Sequence, residues 1–211
     1  MGAAMSLDAE ILVDLHEALA HPVADAIFAF VSLRAGFAVP LLALICLGLC
    51  LQWRRDGLIT FALTLAVLGI ADLNGNILKH LLAQPRPCLE FAHLDWMPDT
   101  CPGARRGMPS NHAINFFAVA AFLWTTLRRT RVGLPLALIA CAVGISRVYL
   151  GRHYPSQVIV GALLGCAQGI LPALIFAQTR LGRRMAGLPD KSDPSVNGEN
   201  AMAPNATPPT T

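Results

Sequence analysis

Charge is what this sequence has least of. Only 14% of its 211 residues are charged, against 55% apolar, and the mean hydropathy is +0.53. A soluble domain carries roughly 25% charged residues, so the chain lacks the polar surface of a water-exposed globule. Low charge with high hydrophobicity also excludes intrinsic disorder over most of the length. There is no basic stripe either. Sixteen Lys and Arg face 13 Asp and Glu, for a net charge of +3, and the basic residues fall at the ends of apolar runs. That pattern argues against a nucleic-acid partner. Six cysteines do not make a secreted disulfide scaffold, and no internal repeat is present. No basic residue precedes Arg34, whereas five acids lie at or before Asp25, so no cleavable signal peptide is expected. The composition fits a helical membrane bundle.

A helix crossing about 30 Å of hydrocarbon needs about 20 mostly apolar residues. Uncharged runs occur at Ala35–Trp53, Gly57–Leu78 (interrupted by Asp72), Ala113–Leu127, Val132–Ser146 and Pro155–Thr179. The third and fourth are short and extend back to Ser110 and on to Leu150. Those extensions bring in His112 and Arg147, which a membrane tolerates only near water or against a polar interior. The expected fold is all-α: a polytopic membrane helix bundle with five transmembrane spans over residues 35–179. Ahead of it, Leu7, Ile11, Leu12, Leu15 and Leu19 share one helical face, the period of an amphipathic helix. Residues 1–34 therefore read as an interfacial helical hairpin, with a sixth span across Val23–Phe37 as the alternative. Residues 180–211 read as a basic segment followed, from Ala186, by a disordered Pro-, Asn-, Ser- and Thr-rich tail.

Arginines set the orientation. Arg54 and Arg55, then Arg128, Arg129 and Arg131, then Arg180, Arg183 and Arg184 all lie on one side of the alternating spans. Short Arg-rich loops stay in the cytoplasm. The long loop Lys79–Asn111, the turn at His153 and the acidic N-terminus then face outward.

Three clusters meet on that outer side. Lys79 precedes Gln84-Pro85-Arg86-Pro87, and the seven-residue spacing turns Lys79 and Arg86 to one helical face until the prolines stop the helix. Pro109-Ser110-Asn111-His112 opens the third span, with Ser110 as a strong N-cap and a helix N-terminus that attracts anions. Ser146-Arg147 is followed by His153 and by Tyr154-Pro155-Ser156-Gln157. Each cluster alone has an ordinary reading: interfacial anchors, a plain cap, a solvated loop histidine. Together they supply three cations, an anion-binding helix start and two imidazoles on one membrane face. A phosphate dianion needs that set, with fixed positive charge, a nucleophile and an acid for the leaving oxygen.

In these motifs the chain resembles the type 2 phosphatidic acid phosphatase family of membrane lipid phosphatases. The family pattern of Lys-x6-Arg-Pro, Pro-Ser-Gly-His and Ser-Arg-x5-His-x3-Asp reads here as Lys79-x6-Arg86-Pro87, Pro109-Ser110-Asn111-His112 and Ser146-Arg147-x5-His153-x3-Gln157. The resemblance implies that Lys79, Arg86, Ser110, Asn111 and Arg147 bind the substrate phosphate. It also implies that His153 attacks phosphorus and His112 protonates the leaving group. A phosphohistidine would then be hydrolysed by water without metal or cofactor. Cys88, His93 and Cys101 have no recognisable metal-ligand spacing. Small size, the N-terminal helical pair and an outward site resemble bacterial undecaprenyl pyrophosphate phosphatases. The implied location is thus the bacterial inner membrane, with the site on the periplasmic side. Phosphatidic acid, phosphatidylglycerol phosphate and lipid A phosphates would meet the same cations. The implied partners are a lipid phosphate and the bilayer, with no obligate protein partner.

Two positions depart from the family pattern. Asn111 replaces Gly and keeps its backbone N–H. Gln157, counted here with the catalytic residues, replaces the Asp that orients the nucleophilic histidine. A Gln carbonyl accepts the imidazole N–H but adds no charge. Losing a charge-assisted bond costs about 1.5–3 kcal/mol, or about one to two decades in rate. A weakened enzyme, or a lipid-phosphate-binding protein that no longer turns over, is therefore a second class of reading. A channel or transporter subunit is a third, but it would thread polar residues along several spans, and here they gather at one end. Asp72, inside a span and near Asn76, is expected either to support the site from below or to sit in wet surroundings at a helix end. Cys88 and Cys101 bracket the outer loop and can pair if that side is oxidising.

Overall fold

The computed structural model describes residues 5–189. Helix α1 (Leu7–Leu19) starts at Ser6, whose hydroxyl accepts from Ala9 N at 3.3 Å. Helix α2 (Pro22–Val31) starts on a proline, with His21 Nδ1 accepting from Val23 N at 3.1 Å. A π-helical turn (Arg34–Ala38) leads into α3 (Val39–Leu82). After a loop come α4 (Pro87–Glu90), α5 (Asn111–Leu127), α6 (Thr130–Tyr149), α7 (Pro155–Phe176) and α8 (Arg180–Met185).

Straight, the 44 residues of α3 would extend about 66 Å, twice the hydrocarbon thickness. The helix instead breaks at Arg54, whose φ of 51° and ψ of −116° are non-helical. The chain reverses there. Gly57 lies so close to Leu49 that a Cβ on it would stand 2.1 Å from the Leu49 carbonyl oxygen. Only glycine allows this approach. Two limbs result, 39–53 and 55–82, and both line one cavity against α5 and α6.

Helix α5 is the central post. Ala113, Ile114, Ala118, Phe122, Leu123 and Leu127 on it are fully or almost fully buried. Helix α7 meets it through Gly161, Gly165 and Gly169, where an added Cβ would stand 2.7, 2.4 and 2.3 Å from the carbonyl oxygens of Ser110, Ile114 and Ala118. Small residues every fourth position let membrane helices approach to backbone contact. The outward faces are apolar: Leu51 is 76% exposed, Leu81 74% and Ile175 72%. Such surface would be intolerable in water over this extent and suits lipid. Gly36–Glu90, Thr130–Tyr149 and Pro155–Phe176 are long and apolar enough to cross a bilayer, whereas α5 has 17 residues.

The two ends differ in chemistry. At one, Arg184 pairs with Asp56 at 2.9 Å and Arg129 stacks 5.0 Å over Trp53. At the other, α1 and α2 pack on α6 and α7 beside the loop carrying α4. Ala9, Leu12, Cys88, Phe91, Met97, Val148 and Tyr154 form a small core there, and a Cys88–Cys101 disulfide closes the loop. Asp8 accepts from Ser156 N at 2.9 Å and from its hydroxyl. His16 stacks on Trp96 at 3.9 Å and donates to Tyr149 O, and the Tyr149 hydroxyl donates to Asp25 at 2.5 Å. Asp8 and Asp25 thus anchor the N-terminal helices at this end. The last apolar run ends at Phe176, not Thr179, because Thr179 caps α8 by accepting from Gly182 N at 3.0 Å. Of the tail expected from Ala186, residues 186–189 fold back on α8, with Leu188 N donating to Arg183 O at 2.8 Å, and residues 190–211 lie outside the described residues.

Candidate active site

The site is assembled where α3 ends, α5 and α7 begin and α6 runs out. Helix α3 stops at Ala83, which is left-handed at φ 44° and returns its N–H to Lys79 O at 3.2 Å. Arg86 is therefore not on the helix that carries Lys79, contrary to the reading of their seven-residue spacing. Pro85 and Pro87 have no N–H to continue a helix, so Arg86 enters as the cap of α4. Its own N–H is bonded to Ala104 O at 2.8 Å. Lys79 and Arg86 converge through the loop and not through helical register. Arg86 Nη1 donates to Arg152 O at 3.4 Å, while its Nε is buried with no protein partner.

Ser110 occupies the cap position of α5, yet its side chain makes no cap hydrogen bond. The residue is completely buried, and its hydroxyl has no partner. Buried hydroxyls are rarely left orphaned, and this one sits at a helix N-terminus. Its backbone N–H donates to Gln157 O at 3.0 Å, which joins α5 to α7. Asn111 points the other way, toward α3. Its Nδ2 lies 3.1 Å from Asp72 Oδ1 and 2.9 Å from Asn76 Oδ1. Gly75 makes the room, since a Cβ there would be 2.6 Å from Asn111 Oδ1. Asn115, one turn on, donates to Asp72 Oδ1 at 2.9 Å, and Asn76 donates to Asp72 Oδ2 at 3.0 Å. Asp72 thus lies in a carboxamide cluster directly below the site.

His112 is half-buried and lines a cavity of about 320 Å3 with Asp72 and Asn115 at its polar end. The rest of the wall is apolar, including Leu42, Phe116 and Leu136.

His153, 1% exposed, sits in the turn between α6 and α7 with Nδ1 3.1 Å from Gln157 Oε1. Burial, and then the charges of Arg86, Arg147 and Lys79, hold its pKa well below the ordinary histidine value, with the Gln157 bond opposing. It is therefore a neutral imidazole among three cations. The Arg147 guanidinium reaches Ser32 at the end of α2, so the N-terminal pair touches the site. Tyr154, beside His153, donates its hydroxyl to Glu90. Burial and that carboxylate push its pKa up. Among the described residues, no group of three or more His, Cys, Asp or Glu is arranged to hold a metal ion.

All eight expected residues lie at one end of the bundle, with Asn111 turned away from the cations. Sequence reasoning missed Asn115, the Pro85 carbonyl, Gly107 and the Ser32 contact. Asn115 is four residues from Asn111 and so on its face; the others carry no signal short of the fold.

The chain is 33% identical over 123 residues to a lipid A 1-phosphatase of Rhizobium johnstonii, covering 55% of this chain and 48% of that protein. It is 34% identical over 148 residues to human dolichyldiphosphatase 1, covering 60% and 59%. The match thus spans about half of the first relative's length. Among solved structures, a transmembrane PAP2-type phosphatidylglycerolphosphate phosphatase from Bacillus subtilis superposes with a TM-score of 0.61. That pair is 26% identical, with 82% of this chain and 86% of that one covered. Residues 57–180 match the PAP2 superfamily, a stretch that runs from the second limb of α3 to the start of α8 and contains all eight expected site residues; the chain is an integral membrane member of that superfamily.

Proposed function

We propose that the protein is a membrane lipid phosphatase that cleaves a phosphomonoester or pyrophosphate through a phosphohistidine, with undecaprenyl pyrophosphate as substrate. The observation that carries the reading is His153: buried, neutral, and under the combined charge of Lys79, Arg86 and Arg147 beside the unpartnered Ser110 hydroxyl. Three cations that disfavour a protonated imidazole favour a bound phosphate dianion. The Nε2 lone pair of His153 attacks phosphorus and the bond to the leaving oxygen breaks. His112 gives that oxygen a proton. Water then attacks phosphorus, His112 takes its proton, the P–N bond breaks and phosphate leaves. Asn111 supports Ser110 and His112 from Asp72 instead of touching phosphate through its side chain. No step is assigned to a metal.

We read five crossings: the two limbs of α3, then α5, α6 and α7. The Arg-rich end faces the cytoplasm, and the disulfide at the opposite end supports an oxidising, periplasmic side for the site. The similarity to a dolichyldiphosphatase favours a polyprenyl pyrophosphate. The 33% identity to a lipid A 1-phosphatase makes lipid A 1-phosphate the second reading.

The test is phosphate release in detergent, with EDTA present, from undecaprenyl pyrophosphate, lipid A, phosphatidic acid and phosphatidylglycerol phosphate. Undecaprenyl pyrophosphate is expected to be the fastest, and His153→Ala to abolish release. Faster turnover of lipid A would establish the second reading. Saturable lipid-phosphate binding without release would sink the catalytic one.

A further inference from the structure

We propose that the site around Gln157 is built for a carboxamide and not for a carboxylate, and that Gln157 positions His153 in one tautomer only in that form. The proposal rests on the phosphatase reading for its kinetic test, but not for its spectroscopic one.

Gln157 is 1% exposed and pinned at both ends. Its Nε2 donates to Pro85 O at 2.8 Å, and its Oε1 accepts from Tyr154 N at 3.3 Å. A proline carbonyl only accepts and a backbone N–H only donates, so chemistry fixes which way the amide points. The oxygen then faces His153 Nδ1 at 3.1 Å. That nitrogen must carry the proton, which leaves the Nε2 lone pair for phosphorus. The backbone completes the tie: Gln157 O accepts from Ser110 N at 3.0 Å. One residue thus joins the Arg86 loop, the α5 cap and the nucleophile.

A carboxylate cannot replace it on these terms. One of its oxygens would stand where Nε2 stands, 2.8 Å from Pro85 O, as acceptor against acceptor in a dry site. An Asp is also a methylene too short to reach both partners. Gly107 closes the remaining space, since a Cβ on it would lie 2.5 Å from Nε2 and 2.7 Å from Oε1. On this reading the departure from the family's Asp and the Pro85 contact belong together, and Gln157 holds His153 instead of merely weakening the enzyme.

Protonated Glu at 157 would mimic Gln, donating its O–H to Pro85 O while its carbonyl accepts from Tyr154 N and His153 Nδ1. Ionised Glu would not. The titratable and charged groups around it are His153, Tyr154 with Glu90, Asp8 of α1 at Ser156, Lys79 of α3, Arg147 of α6, and Arg86 and Arg152 of the loops.

The experiment measures kcat for wild type, Gln157→Glu and Gln157→Asp from about pH 5 to pH 8, each expressed relative to wild type at the same pH. The Gln157→Glu ratio is expected to be at least tenfold lower near pH 8 than near pH 5, with Gln157→Asp low throughout. A ratio that is flat or rises with pH, or either variant above wild type near pH 7.5, overturns the proposal. In parallel, 15N-histidine NMR in detergent, with His153 assigned by its loss in His153→Ala, reads the tautomer whether or not any lipid is hydrolysed. The proton is expected on Nδ1 in wild type and shared between the nitrogens in Gln157→Ala and Gly107→Ala. A wild-type proton on Nε2 overturns the proposal. If the tautomer is as expected and no lipid phosphate is cleaved, the phosphatase reading alone fails. A thermal midpoint within a few degrees of wild type qualifies each variant, and the wild-type tautomer needs none.

Discussion

A buried imidazole that stays neutral makes folding itself pH-sensitive. The pKa of His153 lies well below the ordinary value in the folded protein, so below about pH 6.5 the unfolded chain binds a proton that the folded one refuses. Stability is then lost as pH falls through that window and is fully present above it. The thermal midpoint in detergent is expected to drop between pH 7 and pH 5, and by less in His153→Asn; equal drops would refute the assignment. The same shift keeps the His153 imidazole unprotonated, so, if His153 is the nucleophile as proposed, the acid limb of kcat/KM that belongs to it is expected below pH 6.5. Ser110 separates activity from stability. Its hydroxyl has no protein partner, so Ser110→Ala is expected to leave the thermal midpoint unchanged. If that oxygen serves a phosphate, the substitution lowers kcat/KM about tenfold, the worth of one hydrogen bond of about 1–1.5 kcal/mol.

Between helices, the glycine stripe of α7 sets how closely the two halves of the site approach. Gly165→Ala would put a Cβ 2.4 Å from Ile114 O. It is expected to cost about 1–3 kcal/mol, as overpacking does. Gly48→Ala is the control. Nothing lies within 4 Å of that position, and replacing a mid-helix glycine there is expected to stabilise by about 0.5–1 kcal/mol. If both changes lower the midpoint equally, the close approach does not matter. Asp72 acts at this scale too. It receives carboxamides from Asn76, Asn111 and Asn115, so Asp72→Ala orphans donors on α3 and α5 together. A loss of about 1–3 kcal/mol is expected, with a fall in kcat because Ser110 and His112 flank Asn111.

Across the whole molecule, the eight expected site residues lie at one end, and the bundle below them is mostly apolar, with Asn74 donating to Gln168 at 2.8 Å inside it. The end that carries them is stitched from distant pieces: α1 to Ser156 through Asp8, the loop to itself through Cys88–Cys101, and α2 to Arg147 through Ser32. The disulfide closes a loop that starts two residues after Arg86 and ends before Arg106. Breaking it with Cys88→Ser is expected to cost about 3 kcal/mol, read as a lower midpoint. It should also abolish the mobility shift on reduction and raise KM more than it lowers kcat, because Arg86 loses its frame. An unchanged KM would mean that the loop holds Arg86 without the bridge.

The all-helical, membrane-spanning character and the gathering of the motifs at one end were legible in the sequence, because hydrophobic periodicity is local and each helix satisfies its own backbone. Asp72 beside Asn76 was legible for the same reason, being one turn away on the same helix. The reversal at Arg54, the route by which Arg86 joins Lys79, the turning of Asn111 toward Asp72 and the grip of Pro85 on Gln157 were not. Each depends on a contact between segments far apart in the chain, where the partner's place is set by packing and not by spacing. Residue types determined which chemistry this protein holds. Only the tertiary structure decided which way the Gln157 amide faces His153, since that follows from a proline carbonyl 72 positions from the glutamine it orients.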